Sequence, residues 1–442
     1  MTQKAPRILL SAYQCAPGQG SVSQIGWEWY SRLAQRAPVT LVTHIRNRKV
    51  LEAAGAPLPG TEVIYIDTEW FAGPLYKLAN LAFPRSEHSV FLVSSLDYFV
   101  YDRQVLKQLK PRRAEWDVVH VVTPVSPSAF TVLTKLGLPV VRGPLNGGLV
   151  TPRNFEEYMK ADSAWFYPLR EAARPFRTLL GGGTPDVVFS ANAATERGLC
   201  AAERKHSRRM PEIAADPNFY QGTEWPSTPG KENPLQVLFV GRLVPTKALP
   251  LLFDAVRRVL QTTPVEVTVI GDGPMRAQWE AAAAPLGASV RFLGAQPSAV
   301  VAEELKRCHV MCLPSVRESG GAVLLEAMSA ARPVLAVNYG GPAELVDETV
   351  GRLVPAEGPA SVIEGLASAL QEIMAEPEAW RARGRNGKLH VQRRHSWDAR
   401  IEEGLAVYAE LVGRPLPAAH ETEQAECSGC LDSEHHAVPA GR

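Results

Sequence analysis

The stretch "RESGGAVLLEAMSAARPVLAVNYGGPAELV", which begins at Arg317, sets Glu318 and Glu326 around Gly320 and Gly321. Two carboxylates and paired glycines at the mouth of an apolar helix make a poor core. Buried carboxylates need partners, and the hydroxyls of a sugar supply donors. The glycine amides and the positive end of the following helix suit a phosphate. Earlier, "VGRLVPTKAL" carries Arg242 and Lys247 in one Pro-containing loop. Two cations so placed can converge on a diphosphate, although two solvated surface cations are the commoner arrangement when such a pair stands alone. "IGDGPM" adds Gly271 and Gly273, which let backbone approach a ligand, and Pro274, suited to a first helical turn.

These residues need a frame. The chain has 442 residues, more than the ~250–300 at which one core stops growing, so two domains are expected. In the second half "LQVLFVG", "VEVTVIG", "SVRFLG", "HVMCLPS" and "RPVLAVN" are short apolar runs. Amphipathic segments such as "KALPLLFDAVRRVLQ" lie between them. That alternation predicts a parallel sheet covered on both faces, with the loops named above at its carboxyl end, where such folds bind ligands. The first half repeats the rhythm through "RILLSAY", "VTLVTHI", "EVIYI", "DVVHVV", "PVVRG" and "DVVFS". The fold class is therefore α/β, with two doubly wound, Rossmann-like domains. The first is expected over 1–210 and the second over 231–395, with a linker in the polar, Pro- and Gly-rich segment Arg204–Pro234. A closing helix over 396–412 and a disordered tail over 413–442 follow.

Several classes are excluded. Net charge is +1, from 47 basic and 46 acidic residues, which leaves no electrostatic footprint for nucleic acid. After the first strand, "APGQGSVSQIGWEW" offers Gly18 and Gly20, but Ser23 stands where a dinucleotide fingerprint needs its third glycine. Arg46, not a carboxylate, follows the second strand, and no P-loop lysine is present. The glycine-rich turn entering a helix at Gly20 still provides free amides for an anion, or is a plain tight turn. Cys15, Cys200, Cys308 and Cys312 read as reduced, packed thiols. In the tail, "CSGC" with His435 and His436 lacks the spacing of a zinc finger. A short apolar run at the N-terminus and the lack of any membrane-length run lead to the expectation of a cytoplasmic protein, soluble or at the inner face of a membrane. The segment from Trp70 to Arg113, apolar and aromatic before "KQLKPRR", is either a surface for peripheral membrane association or an insertion packed on its own domain.

In combination, "VGRLVPTK", "GDGP", "RESGGAVLLEAMSAARPVLAVNYGGPAELV", "PGQGS…IGWEW", "DVVHVV" and "GPLNGG" resemble the retaining, family-four glycosyltransferases of the GT-B fold over roughly residues 5–412. The resemblance implies two domains facing across a cleft and transfer of a sugar from a nucleotide-diphosphate sugar to a glycan or lipid-linked acceptor, with the anomeric configuration kept. It gives Arg242 and Lys247 the donor diphosphate, Glu318 the hydroxyls of the transferred sugar and Glu326 the nucleotide ribose. Gly241, Gly271, Gly320 and Gly321 fall in its donor loops, Gly20 in the first-domain loop, and His120 matches a histidine that faces the sugar. No metal or other cofactor is expected, because two cations and helix ends can offset the charge of the leaving group.

The chain departs from the family pattern at Ala248 and at "SAARP", where glycine is usual, at Gly320, where an aromatic residue is common, and at Leu149, where relatives often have a polar one. A sugar-nucleotide epimerase of the same architecture and a non-catalytic sugar-nucleotide-binding protein are the competing readings.

Overall fold

The computed structural model describes residues 5–82, 87–150, 152–159, 181–216 and 225–413. The tail with Cys427, Cys430, His435 and His436 lies outside the described residues. The first sheet contains β1 (Ile8–Ala12), β2 (Val39–His44), β3 (Glu62–Ile66), β4 (Val118–Thr123), β5 (Val140–Leu145), β6 (Val187–Ser190) and β7 (Ser207–Arg209). All are parallel, in the order β3-β2-β1-β4-β5-β6-β7. The second contains β8 (Leu235–Val240), β9 (Val265–Ile270), β10 (Val290–Gly294), β11 (Val310–Leu313), β12 (Val334–Val337) and β13 (Gly351–Val354). These are also parallel, in the order β10-β9-β8-β11-β12-β13.

The central strands β4, β5, β11 and β12 are buried along their whole length, as strands covered on both faces must be. Strand β7 is absent from the strands read in the sequence and lies where the expected first domain, 1–210, overlaps the Arg204–Pro234 segment read as the linker. Its residues, Ser207, Arg208 and Arg209, are partly or fully exposed. It is a polar edge strand without the apolar alternation that marks a strand in sequence.

Each sheet reverses its strand order once, between β1 and β4 and between β8 and β11. At such a point the loops leaving neighbouring strands diverge and open a crevice at their carboxyl ends. The loops after β8 and β11 therefore flank one crevice, and those after β1 and β4 another.

The chain passes between the domains twice, and the two passages lie side by side. The Ala215 amide donates to His395 O at 2.9 Å, and the Trp397 amide donates to Ala215 O at 3.3 Å. The returning passage ends at Ser396, whose hydroxyl caps the helix Trp397–Val412 by accepting from the Ala399 amide. That helix packs Trp397, Ile401, Leu405 and Tyr408 into the core of the first domain, against residues that include Trp29 and Val122. Gly404 makes the close approach possible, since a Cβ there would meet two ring carbons of the buried Trp29 at 2.7 Å.

Cys15, Cys200, Cys308 and Cys312 form no disulfide. No helix among the described residues is long and apolar enough to cross a membrane. Within the segment weighed as a membrane surface, Tyr98, Tyr101, Val105 and Leu109 of the helix Glu87–Leu109 are buried against β-strand residues of their own domain. Trp70 and Tyr76 are exposed. Arg112 is bonded to Glu62 and Glu115.

Gly404→Val should wedge the last helix away from Trp29 and destabilise the protein by about 1–3 kcal/mol, the usual range for overpacking a core. Chemical denaturation measures this. An unchanged midpoint would mean that the helix is not held at that contact.

Candidate functional site

Strand β8 ends in a loop built to present Lys247. The Leu243 side chain is buried, and its amide donates to Asp272 O at 2.9 Å, which pins the loop to the one after β9. A 3-10 turn, Pro245–Lys247, follows and ends at Ala248 with φ +45°. Ala331 in "SAARP" also has positive φ, +55°. Both alanines thus take the left-handed conformation for which glycine is usual, at a cost of roughly 1–2 kcal/mol each.

The loop after β11 meets the first loop through a bond from the Val316 amide to Thr246 O, 3.0 Å. Lys247 Nζ then forms an ion pair with Glu318, and the two side chains are 18% and 14% exposed. A charged pair this far from water is held in one geometry rather than screened. Gly321, with φ +88°, caps the helix Ala322–Ser329. Among the described residues, no acceptor is bonded to the amides of Gly320 or Gly321. Glu326 lies within the same helix, half-buried, and Arg242 is exposed on the loop after β8. The structure therefore brings Lys247, Glu318, Gly320 and Gly321 together at the crevice, with Arg242 and Glu326 on the elements that form it.

Gly241 and Gly271 do something else. The Gly241 amide donates to Ile270 O at 3.0 Å, and the Gly271 amide donates to Gly294 O at 2.8 Å. A Cβ on Gly271 would stand 1.9 Å from Gly241 O. These glycines let backbone approach backbone where the strand ends converge, and their amides are already used. On the first-domain side, Gly20 opens the helix Gly20–Leu33 after a loop in which the Gly18 amide donates to Gln24 Oε1 at 2.7 Å.

His120 does not reach the cleft. It is fully buried; Nε2 donates to Gly143 O at 2.6 Å, and Nδ1 accepts from the Tyr408 hydroxyl at 2.5 Å. The Trp29 ring stands edge-on at 4.6 Å. Burial drives its pKa down to about 3, against the opposing bond to Gly143 O. Alternate residues of a strand face opposite layers. His120 faces the layer formed by Trp29 and the last helix, so it is a neutral core histidine whose two nitrogens are occupied.

A residue that the sequence reading left in the linker enters the site instead. Glu212 is 5% exposed and bonded by the Asn146 side chain from the "GPLNGG" loop. It lines a small crevice between the domains with Pro211, Ile213, Ser319, Gly320 and Glu344. Burial raises its pKa to about 7, and the neighbouring Glu318 adds to the rise, while Asn146 and Arg400 oppose it. Other bonds close the domains around this point. Asn192 Nδ2 donates to Ser319 O at 3.3 Å, the Ala193 amide donates to Glu344 Oε1 at 3.1 Å, and the Tyr339 hydroxyl donates to Val150 O. The only sequence signal for Glu212 is an acidic residue inside "MPEIAA".

Residues 223–388 match the family glycosyl transferases group 1. The chain is 34% identical over 189 residues to a D-inositol 3-phosphate glycosyltransferase of Segniliparus rotundus, covering 41% of this chain and 41% of that protein. It is 33% identical over 181 residues to a phosphatidyl-myo-inositol mannosyltransferase of Mycobacterium tuberculosis, covering 40% and 47%. The match thus spans less than half the length of these curated relatives. Among solved structures, Anabaena HepE in complex with UDP superposes with a TM-score of 0.59 at 18% identity, covering 91% of this chain and 100% of that one. Sucrose-phosphate synthase from Thermosynechococcus elongatus gives 0.60 at 20%, covering 92% and 99%. At these identities the likeness is one of fold, and the fold is GT-B.

His120→Phe should remove the partners of Gly143 O and the Tyr408 hydroxyl at about 1–3 kcal/mol each and lower the melting temperature. Because the folded-state pKa is depressed, the contribution of His120 is complete above about pH 6.5 and fades as pH falls toward 3, so the variant should lose less stability across that window. A variant of unchanged stability that has lost nucleotide binding would return His120 to the cleft.

Proposed function

We propose, for a chain whose residues 223–388 match the glycosyl transferases group 1, that it transfers a sugar from a nucleotide-diphosphate sugar to a hydroxyl of a glycan or lipid-linked acceptor, with retention of configuration. The observation that supports this most is the Lys247–Glu318 pair at the strand-order reversal, beside the open amides of Gly320 and Gly321. Glu318 holds the place of the negative charge that a diphosphate would bring to Lys247, and Lys247 compensates the Glu318 carboxylate until then. A diphosphate draws off Lys247, and the released Glu318 carboxylate accepts bonds from sugar hydroxyls.

In the reaction, the bond between the anomeric carbon and the diphosphate oxygen breaks, and the acceptor oxygen bonds to that carbon on the same face. The acceptor proton passes to the departing phosphate oxygen, so no protein base is assigned. Negative charge grows on the diphosphate as it leaves. Lys247, Arg242 and the N-terminal end of the helix Ala322–Ser329 are positioned to offset it. In this reading Glu326 takes the ribose, and no metal is required. The relatives named as inositol 3-phosphate and phosphatidyl-myo-inositol glycosyltransferases suit an acceptor rich in hydroxyls, and the exposed Trp70 and Tyr76 suit an acceptor presented at a membrane. An epimerase of the same architecture would release an epimerised sugar without any acceptor, so product analysis in the absence of acceptor separates that reading from transfer.

Lys247→Ala should lower kcat by about 10²–10³-fold, because the lysine holds the developing charge more tightly than the bound donor. Unchanged kcat with weaker donor binding would make it a passive anchor. Turnover should also persist in excess EDTA; complete loss restored by Mg²⁺ would put a metal at the diphosphate.

A further inference from the structure

Gly320 stands where the family commonly has an aromatic residue, and the structure gives a reason for the missing side chain. A Cβ on Gly320 would lie 2.7 Å from Glu212 Oε1 and 3.5 Å from two carbons of Ile213. The space is already filled from the passage between the domains. Glu212 enters it almost out of contact with water, and the Asn146 side chain from the first domain holds its carboxyl group. A carboxyl group from the passage between the domains, Glu212, thus reaches the loop that carries Glu318.

We propose that Glu212 determines which nucleotide-linked sugar the cleft accepts, by presenting its carboxyl group, through the space vacated at Gly320, to one hydroxyl of the sugar being transferred. This deepens the glycosyltransferase reading and rests on it. The chemistry divides the work between the two acids. Glu318, paired with a lysine, acts as an acceptor. Glu212 is buried beside Glu318, which holds part of its population protonated near neutral pH, so it both donates and accepts. A hydroxyl is the group that satisfies both roles, and a deoxygenated position leaves a buried carboxyl group unpaired. The charged groups around Glu212 are Glu318 from the loop after β11 and Arg400 from the last helix, with Glu344 across the crevice. Asn146 is its neutral partner.

The test is calorimetric titration of the full chain with UDP, GDP and ADP, with their hexose conjugates, and with singly deoxygenated conjugates of whichever hexose binds. The quantity read is the gain in affinity that the sugar adds to its own nucleotide. Glu212→Gln, a near-isostere that keeps the Asn146 contact through Oε1, leaves an amide nitrogen that donates to a sugar hydroxyl but cannot accept from one, so it should reduce that gain by about 10-fold and leave the bare nucleotide unaffected. One deoxygenated donor should bind wild type about 10-fold more weakly than its parent, yet bind Glu212→Gln with little further loss. Gly320→Ala, which displaces the carboxyl group but also bears on a phosphate-binding amide, should lower the sugar-dependent gain by about 10-fold whatever its effect on the bare nucleotide, and the double variant should lower that gain no further. A loss of nucleotide and conjugate affinity in equal measure would mark Glu212 as structural only and overturn the inference. A full sugar-dependent gain in both Glu212→Gln and Gly320→Ala would also overturn it, leaving the glycosyltransferase reading intact. A wild-type protein that binds neither nucleotides nor conjugates would overturn both.

Discussion

The ion pair between Lys247 and Glu318 is the contact on which the arrangement turns. It joins the loops that leave β8 and β11 where the second sheet reverses direction. Two ions so poorly exposed to water are costly to hold unless each is the other's partner or a ligand replaces it. The surrounding backbone is organised to keep the pair in place. Val316 is tied to Thr246, Gly341 donates to Glu318 O, and the turn before Ala248 closes in a strained left-handed conformation. A ligand with a diphosphate and several hydroxyls is able to exchange for both halves of the pair at once. A simple phosphate would satisfy only one.

The parallel sheets make this placement possible. Every strand delivers its loop to the same edge, and the helix that follows points its positive end at that edge. The same constraint separates two groups of residues that look alike in sequence. Gly241 and Gly271 use their amides on neighbouring strands, whereas Gly320 and Gly321 stand at a helix start and keep theirs open. The first domain meets the second at Ser319 and Glu344 through Asn192 and Ala193, so the cleft has a defined floor. Two adjacent passages, joined at Ala215 and Ser396, form the connection about which the domains are held.

Much of this is legible in the residues. Continuous apolar runs mark the buried strands, and the loops after β8 and β11 can be read from the glycines, prolines and charges that follow them. His120 could not be placed, because a strand pattern does not say which layer a residue faces; only the position of Trp29 and Tyr408 decides it. Strand β7 was hidden because an exposed edge tolerates Arg208 and Arg209. Glu212 was hidden for a different reason. Its role depends on Asn146 and Gly320, which lie far from it in the chain. The departures at Ala248 and Ala331 are now readable as alanines in a strained left-handed conformation, and the one at Gly320 as space given to a distant acid.

The central claim is that Lys247 and Glu318 hold each other in place of a donor. A crystal structure of the protein with a bound nucleoside diphosphate tests it most directly. The account predicts the terminal phosphate within about 3 Å of Lys247 Nζ, in reach of the Gly320 and Gly321 amides, with Lys247 turned away from Glu318. A diphosphate bound elsewhere, or bound beside an unbroken Lys247–Glu318 pair, would contradict it.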